Sequence, residues 1–130
     1  MSVPVTGLYA GLLSVILAVL TVRVTRRRRA KKIGILDRGD QEMIQAIRVH
    51  GNFTEYVPAI LILMAALELN GVPYYVIHAM GGMALLSRVS HAVGLSRTIR
   101  GGKLRIYGMF GTISLLIAGG VGAVLWSLIR

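Results

Sequence analysis

The chemically richest part of the sequence is the octapeptide RVHGNFTE, which runs from Arg48 to Glu55 inside an otherwise apolar stretch. Arg48, Asn52 and Glu55 are spaced i, i+4 and i+7, so a helix would present them on one face and His50 on another. Ionisable side chains inside an apolar helix are costly and usually face a bundle interior or a water-filled cavity. The spacing therefore predicts a polar site on this helix.

A second polar pair, Arg88 and His91, lies near the end of a later apolar stretch. At 1.5 Å per residue, Arg48 lies roughly 10 Å from the start of its predicted helix, and Arg88 lies roughly 10 Å from the end of its own. If the two helices are antiparallel neighbours, both arginines share one depth with Asn52, Glu55 and His91. We expect these five side chains to form one cluster.

The charges of this cluster indicate what it would bind. Two arginines offer forked donors for carboxylates, whereas Glu55 and Asn52 can receive an ammonium or amide group. A small zwitterionic or peptide-like anion fits this set. The alternative is that Arg48 and Arg88 extend to the membrane interface and that Glu55 pairs with one of them, which would offset its burial.

Neither a metal site nor thiol chemistry is expected in this chain. His50 and His91 have no third ligand at a metal-binding spacing. The sequence contains no cysteine, which excludes disulfides and a cysteine nucleophile. Any reactive sulfur would have to come from a bound molecule.

The elements that position these residues follow from composition. The 130 residues are 55% hydrophobic with a mean hydropathy of +0.69, which is more apolar surface than one small soluble core can bury. The sequence predicts an all-α membrane protein, a single domain over residues 1–130, in which four transmembrane helices form an up-down-up-down bundle. The predicted helices occupy residues 3–24, 41–69, 72–95 and 105–129.

Charge predicts the orientation of this bundle. Fifteen Lys and Arg residues against five Asp and Glu give a net charge of +10. The cations concentrate in residues 23–38 and 97–105, a basic collar, and do not cover a face as a nucleic-acid binder requires. By the positive-inside rule, the collar and the polar site face the cytoplasm and both termini lie on the opposite side. We expect lipid headgroups to contact part of the collar.

Two motifs resemble the MAPEG family, the membrane-associated proteins in eicosanoid and glutathione metabolism. The second-helix signature Arg-x-His-x-Asn-x-x-Glu is present as RVHGNFTE and is followed by an apolar run with Pro58. The third-helix pattern Arg-x-x-His is present as RVSH, from Arg88 to His91. The likeness is greatest to small bacterial members. It implies a homotrimer of four-helix protomers in the bacterial inner membrane that binds glutathione between neighbouring subunits at the cytoplasmic side.

The resemblance also implies roles for individual residues. Asn52, Glu55 and His91 would contact the tripeptide. Arg23 and Arg105 match arginines that hold its carboxylates or thiolate. Arg105 is a better match than the alternative, Tyr107, to the catalytic group that stabilises the thiolate. The supporting members of the polar core would be Arg48, His50 and Arg88.

The implied activity is that of a glutathione transferase or peroxidase. An arginine lowers the pKa of the glutathione thiol, and the thiolate attacks a lipophilic electrophile or a peroxide that arrives from the bilayer. Several eicosanoid-handling members have a tyrosine seven residues after the third-helix arginine, where this chain has Leu95. The missing hydroxyl permits an alternative, a non-catalytic binding or scaffold protein with the same fold. Four helices also fit a small multidrug-type transporter, but such a protein needs an acidic residue that faces a central path, and Glu55 lies among arginines instead.

Overall fold

The computed structural model describes residues 2–98 and 102–129, which form four α-helices and no strand. The helices are α1 (Pro4–Lys31), α2 (Gln41–Leu69), α3 (Tyr74–Arg97) and α4 (Lys103–Leu128). Three of them, α1, α2 and α4, are long and apolar enough to cross a membrane. The 24 residues of α3 include Arg88 and His91, and both of these side chains are buried in the bundle. The predicted all-α membrane fold is confirmed.

The helices pack around a central α2–α3 pair. Both α1 and α4 contact α2 and α3, and within the described residues α1 and α4 do not contact each other. One apolar cluster brings Leu67 of α2 to Ile77 of α3, and another brings Val49 of α2 to Leu95 of α3. These contacts make α2 and α3 antiparallel, and α1 and α4 lie on opposite sides of the pair.

Helix α1 continues well beyond residue 24, where the sequence analysis ended it. Its last two turns consist of Arg, Lys and Ala residues with a single Thr. Arg, Lys and Ala are good helix formers. The helix ends where Lys32 adopts a left-handed conformation, and the Ile33 amide donates to the Arg28 carbonyl. The Ile33 side chain is then buried against Met43 and Ala46 of α2. The basic end of α1 is therefore a packed part of the bundle.

Asp40 fixes the start of α2 on the side of the basic collar. Its side chain accepts a hydrogen bond from the Met43 amide at 2.8 Å, as a helix N-cap, and another from the Lys31 ammonium at 2.6 Å. The hydrogen bond from Lys31, followed by that from Met43, holds the pKa of Asp40 below its usual range. This carboxylate thus ties the end of α1 to the beginning of α2.

The opposite end of the bundle has a second carboxylate cap. Glu68, near the end of α2, accepts hydrogen bonds from the Val5 amide at 2.9 Å and the Thr6 amide at 2.8 Å. These are first-turn amides of α1, which have no partner inside their own helix. On the same side the Trp126 indole donates to the Asn70 carbonyl at 2.9 Å, which ties α4 to the turn between α2 and α3.

Candidate functional site

A polar cleft of about 240 Å³ opens between α2, α3 and α4 in the half of the bundle that carries the basic collar. Four of the residues singled out in the sequence line this polar cleft, namely Arg48, Asn52, His91 and Arg105. The rest of its wall consists of Ile44, Gln45 and Leu95. Three helices thus bring cationic, amide and imidazole groups to one place. The spacing in the sequence predicts the contributions of α2 and α3, whereas Arg105 of α4 was expected from the resemblance alone.

Arg88 lies behind the cleft and is 1% exposed. One terminal nitrogen donates to the Asn52 side-chain oxygen at 2.8 Å, and the other donates to the Gly108 carbonyl at 3.3 Å. The guanidinium carbon also lies 5.3 Å from the centre of the Tyr56 ring, within the range of a cation–π contact. Arg88 therefore joins α2, α3 and α4 and fixes the orientation of the Asn52 amide.

The close approach of α3 and α4 positions His91 beside Arg105. A Cβ atom added to Gly108 would lie 2.5 Å from the His91 amide nitrogen and 2.6 Å from the Ser87 carbonyl oxygen. Only glycine permits this backbone contact, because the two nearest atoms that a side chain would meet belong to the main chain of α3. Arg105 lies three residues before Gly108 on α4, so this packing carries it to the cleft.

An apolar cleft of about 540 Å³ adjoins the polar one. The two clefts share Asn52, His91 and Arg105. The remaining wall of the apolar cleft comes from α4 and consists of Ile106, Met109, Phe110 and Ile113. The combined arrangement presents an ionic compartment and a hydrocarbon-lined compartment to the same three polar side chains.

Arg48 and Glu55 lie on the outer face of α2 and approach each other to 4.0 Å. Their side chains are 62% and 53% exposed in the isolated protomer. Exposure of such charges to hydrocarbon is costly, because neither water nor other polar groups solvate them there. The structure does not bring Glu55 into the wall of the polar cleft.

Two further residues from the sequence analysis lie elsewhere. Arg23 donates to the Ser96 hydroxyl and lines a groove between α1 and α3. His50 is within hydrogen-bond distance, 3.1 Å, of the Thr21 hydroxyl and so joins α2 to α1. Neither residue lines the polar cleft within one protomer.

Several contributors to the site were not predicted from the sequence. Gln45 lines the cleft and donates to the Leu95 carbonyl at 2.7 Å. Gln45 precedes Arg48 by three residues and Tyr56 follows Asn52 by four. Helical periodicity alone therefore places both on the face of α2 that carries Arg48 and Asn52. The Gly108 carbonyl gave no such signal, because its role depends on the packing of α4. Among residues 2–98 and 102–129, no group of three His, Asp or Glu side chains could hold a metal ion.

The fold and the cleft define a small helical integral membrane protein with a charged site in the half that carries its basic loops. The profile of the MAPEG family matches residues 6–125, and the chain belongs to that family. Two relatives are similar to it, the inner membrane proteins YecN of Escherichia coli K12 and of Escherichia coli O6:H1. Each is 36% identical over 90 residues, which cover 69% of this chain and 69% of the relative.

Proposed function

We propose that the chain is a glutathione-dependent membrane enzyme of the transferase or peroxidase type. The observation that carries the proposal is the convergence of Arg48, Asn52, His91 and Arg105 on one cleft, three of whose residues also line an adjoining apolar cleft. A polar thiol cosubstrate and a lipophilic acceptor would then meet at the three side chains that the two clefts share. Membership of the MAPEG family supports glutathione as the thiol.

The charges in and near the cleft suit glutathione. At neutral pH the tripeptide has two carboxylates and one ammonium, and planar guanidinium groups bind carboxylates through paired hydrogen bonds. Arg48 and Arg105 supply such donors, the Asn52 amide can pair with a peptide group, and the carboxylate of Glu55 can receive the ammonium. A volume of about 240 Å³ is below the roughly 300–1,000 Å³ of ordinary ligand pockets, so one protomer supplies only part of the space.

A neighbouring copy would complete the site. The charged face of α2 that carries Arg48 and Glu55 is exposed in one protomer, and its burial against a second copy removes these charges from contact with lipid. We propose the trimer that is typical of the family. Arg23 would reach the polar cleft only from such a neighbour, because in its own protomer it contacts Ser96 on the α1–α3 side.

In the proposed mechanism the chain supplies orientation and charge, and glutathione supplies the sulfur. The guanidinium of Arg105 stabilises the thiolate and so lowers the pKa of the bound thiol, whose proton goes to solvent. The thiolate attacks an electrophilic carbon and forms a carbon–sulfur bond, while the displaced electron pair leaves with the leaving group or takes up a proton. With a peroxide, the thiolate attacks oxygen, and a second glutathione completes the reduction to an alcohol, water and glutathione disulfide. His91 borders both clefts and orients the reactants.

The proposed setting is the inner membrane of a bacterium, with the polar cleft and the basic collar facing the cytoplasm and both termini on the other side. The YecN relatives are inner membrane proteins by name, and this and the positive-inside rule support the proposed setting. Cytoplasmic glutathione would enter the polar cleft from water. The lipophilic substrate would enter the apolar cleft from the bilayer, and membrane lipids would surround the helices.

One observation favours a second candidate function, a binding or scaffold protein without turnover. Leu95 lines the polar cleft at the position where several family members have a tyrosine, so that wall lacks a hydroxyl donor. Such a protein would bind glutathione without forming the thiolate. Separate measurements of glutathione binding and of the ionisation of its thiol distinguish the two functions.

Calorimetric titration of the detergent-purified protein with glutathione tests binding. We expect saturable binding that Glu55→Ala weakens about tenfold, through loss of the partner for the ammonium group. Glu42→Ala is the matched control, since Glu42 is an acid near the same membrane surface that pairs with Lys31 instead. Equal effects of the two variants would refute the role of Glu55 as the partner of the ammonium group, and no binding by the wild type would refute the glutathione assignment.

A further inference from the structure

A groove of about 440 Å³ runs between α1 and α3, on a side of the bundle away from the polar cleft. Aliphatic side chains form its floor, among them Val19 of α1 and Val93 of α3. Arg23, Ser96 and Arg97 line the same groove. It therefore combines a hydrocarbon surface with two guanidinium groups, and it shares no residue with the polar or the apolar cleft.

The order of residues along both helices is the same. Arg23 follows Val19 by four residues in α1, and Arg97 follows Val93 by four residues in α3, so each arginine lies one turn beyond its valine. Both helices run towards the collar side, since each is antiparallel to α2. The two arginines thus occupy the collar end of the groove, and the valines lie one helical turn further from the collar.

The two arginines have no carboxylate partner among the described residues. The acids of the collar side have other partners: Asp40 and Glu42 pair with Lys31, and Glu42 also with Arg27. The carboxylate of Asp37 accepts a hydrogen bond from the Gly39 amide. Arg23 donates to the neutral Ser96 hydroxyl. An anion at this end of the groove would therefore meet two guanidinium groups whose charge nothing else in the described chain neutralises.

We propose that this groove binds an anionic phospholipid from the leaflet on the side of the collar. The headgroup phosphate is held between Arg23 and Arg97, with Ser96 as a further hydrogen-bond donor, and one acyl chain lies along the apolar floor. Paired guanidinium groups match the geometry of a phosphate. The groove has a charged end and an apolar floor, as a lipid has a charged headgroup and an apolar chain. A free anion or a glutathione carboxylate has no such apolar part.

This proposal gives Arg23 a ligand within its own protomer. The family resemblance instead assigns it to glutathione in a neighbouring copy, and the contact with Ser96 favours the groove. Arg97 has no place in the proposed glutathione site, so variants at Arg97 separate the two ligands.

The experiment uses full-length, delipidated protein in detergent, titrated with dioleoylphosphatidylglycerol and followed by native mass spectrometry. Arg97→Gln and Arg23→Gln are each expected to lower the apparent affinity about fivefold or more, since one cation near an anionic surface contributes about that factor. Arg29→Gln removes the same charge from the exposed collar outside the groove, and we expect less than a twofold change. Val93→Trp, which fills the exposed mouth of the groove without a change of charge, should also weaken binding.

Two further arms test the source of the phosphate and the role of Arg97. Dioleoylphosphatidylcholine should bind more weakly than the anionic lipid, and glycerophosphoglycerol, which lacks acyl chains, should not displace the lipid. Arg97→Gln should retain the glutathione affinity of the wild type. Equal losses in Arg29→Gln and Arg97→Gln, displacement by glycerophosphoglycerol, or Arg23→Gln abolishing glutathione binding while lipid binding persists would each overturn the proposal.

Discussion

Substitution of Gly108 by alanine tests whether close packing of α3 on α4 builds the site. The new Cβ would lie 2.5 Å from the His91 amide nitrogen, whereas ordinary contacts begin at 3.4 Å, so the two helices must separate by about 0.9 Å (3.4 minus 2.5). The obstacle is main chain, which cannot rotate away. Overpacking of this kind costs about 1–3 kcal/mol of unfolding free energy. The Gly108 carbonyl, which accepts from Arg88, would move with the helix.

Gly120→Ala is the matched control, because a Cβ at Gly120 meets nothing within 4 Å. Alanine there should be neutral or add up to about 1 kcal/mol through its higher helix propensity. The assay is unfolding in detergent followed by circular dichroism, with glutathione affinity measured on the same samples. We expect Gly108→Ala alone to lose stability and affinity, since displacement of α4 moves Arg105. If Gly108→Ala matches Gly120→Ala in both measurements, the packing argument is wrong.

Three further changes test other parts of the structure. Glu68→Gln removes the charge that caps the first turn of α1 and should cost about 1 kcal/mol of unfolding free energy, whereas an unchanged unfolding midpoint would contradict the cap. The lowered pKa of Asp40 means that its carboxylate stabilises the fold above about pH 3.9, the unfolded value, and that this contribution is lost as the pH falls through the folded value. The difference in melting temperature between wild type and Asp40→Asn should therefore shrink on acidification below about pH 4, and a constant difference would count against the ion pair with Lys31. Leu95→Tyr places a hydroxyl in the wall of the polar cleft and should increase thiolate formation by bound glutathione; a variant that keeps its affinity but forms no more thiolate would show that the missing hydroxyl does not limit activation.

Helical periodicity and depth predicted part of the polar cluster: Arg48, Asn52 and His91 line the cleft, whereas Glu55 lies outside its wall. The i, i+4 spacing of Arg48 and Asn52, with Arg88 counted back along an antiparallel helix, anticipates the hydrogen bond that joins Arg88 to Asn52. These relations depend only on the rise and turn of a helix, which the sequence determines. The family resemblance added Arg105 to the predicted site. Apart from Lys103, α4 carries no other charged residue.

Other features depend on packing between distant segments and have no local signal. Glu68 caps amides that lie more than sixty residues earlier in the chain, and Gly108 matters only because α4 approaches the main chain of α3. The direction of Arg23, towards Ser96 and away from the polar cleft, likewise follows from the packing of α1 on α3. The end of α1 was predicted too early because the edge of the apolar run was taken as the end of the helix. Helix propensity and the contact of Ile33 extend it into the basic collar.

The most direct test of the central claim is the ultraviolet absorbance of the glutathione thiolate at neutral pH when the detergent-purified protein is saturated with glutathione. Arg105→Ala is compared with Arg29→Ala, which removes an exposed arginine outside both clefts. The account predicts a thiolate signal in the wild type and in Arg29→Ala and its loss in Arg105→Ala. Saturable binding without any thiolate signal in the wild type, or an undiminished signal in Arg105→Ala, would contradict it.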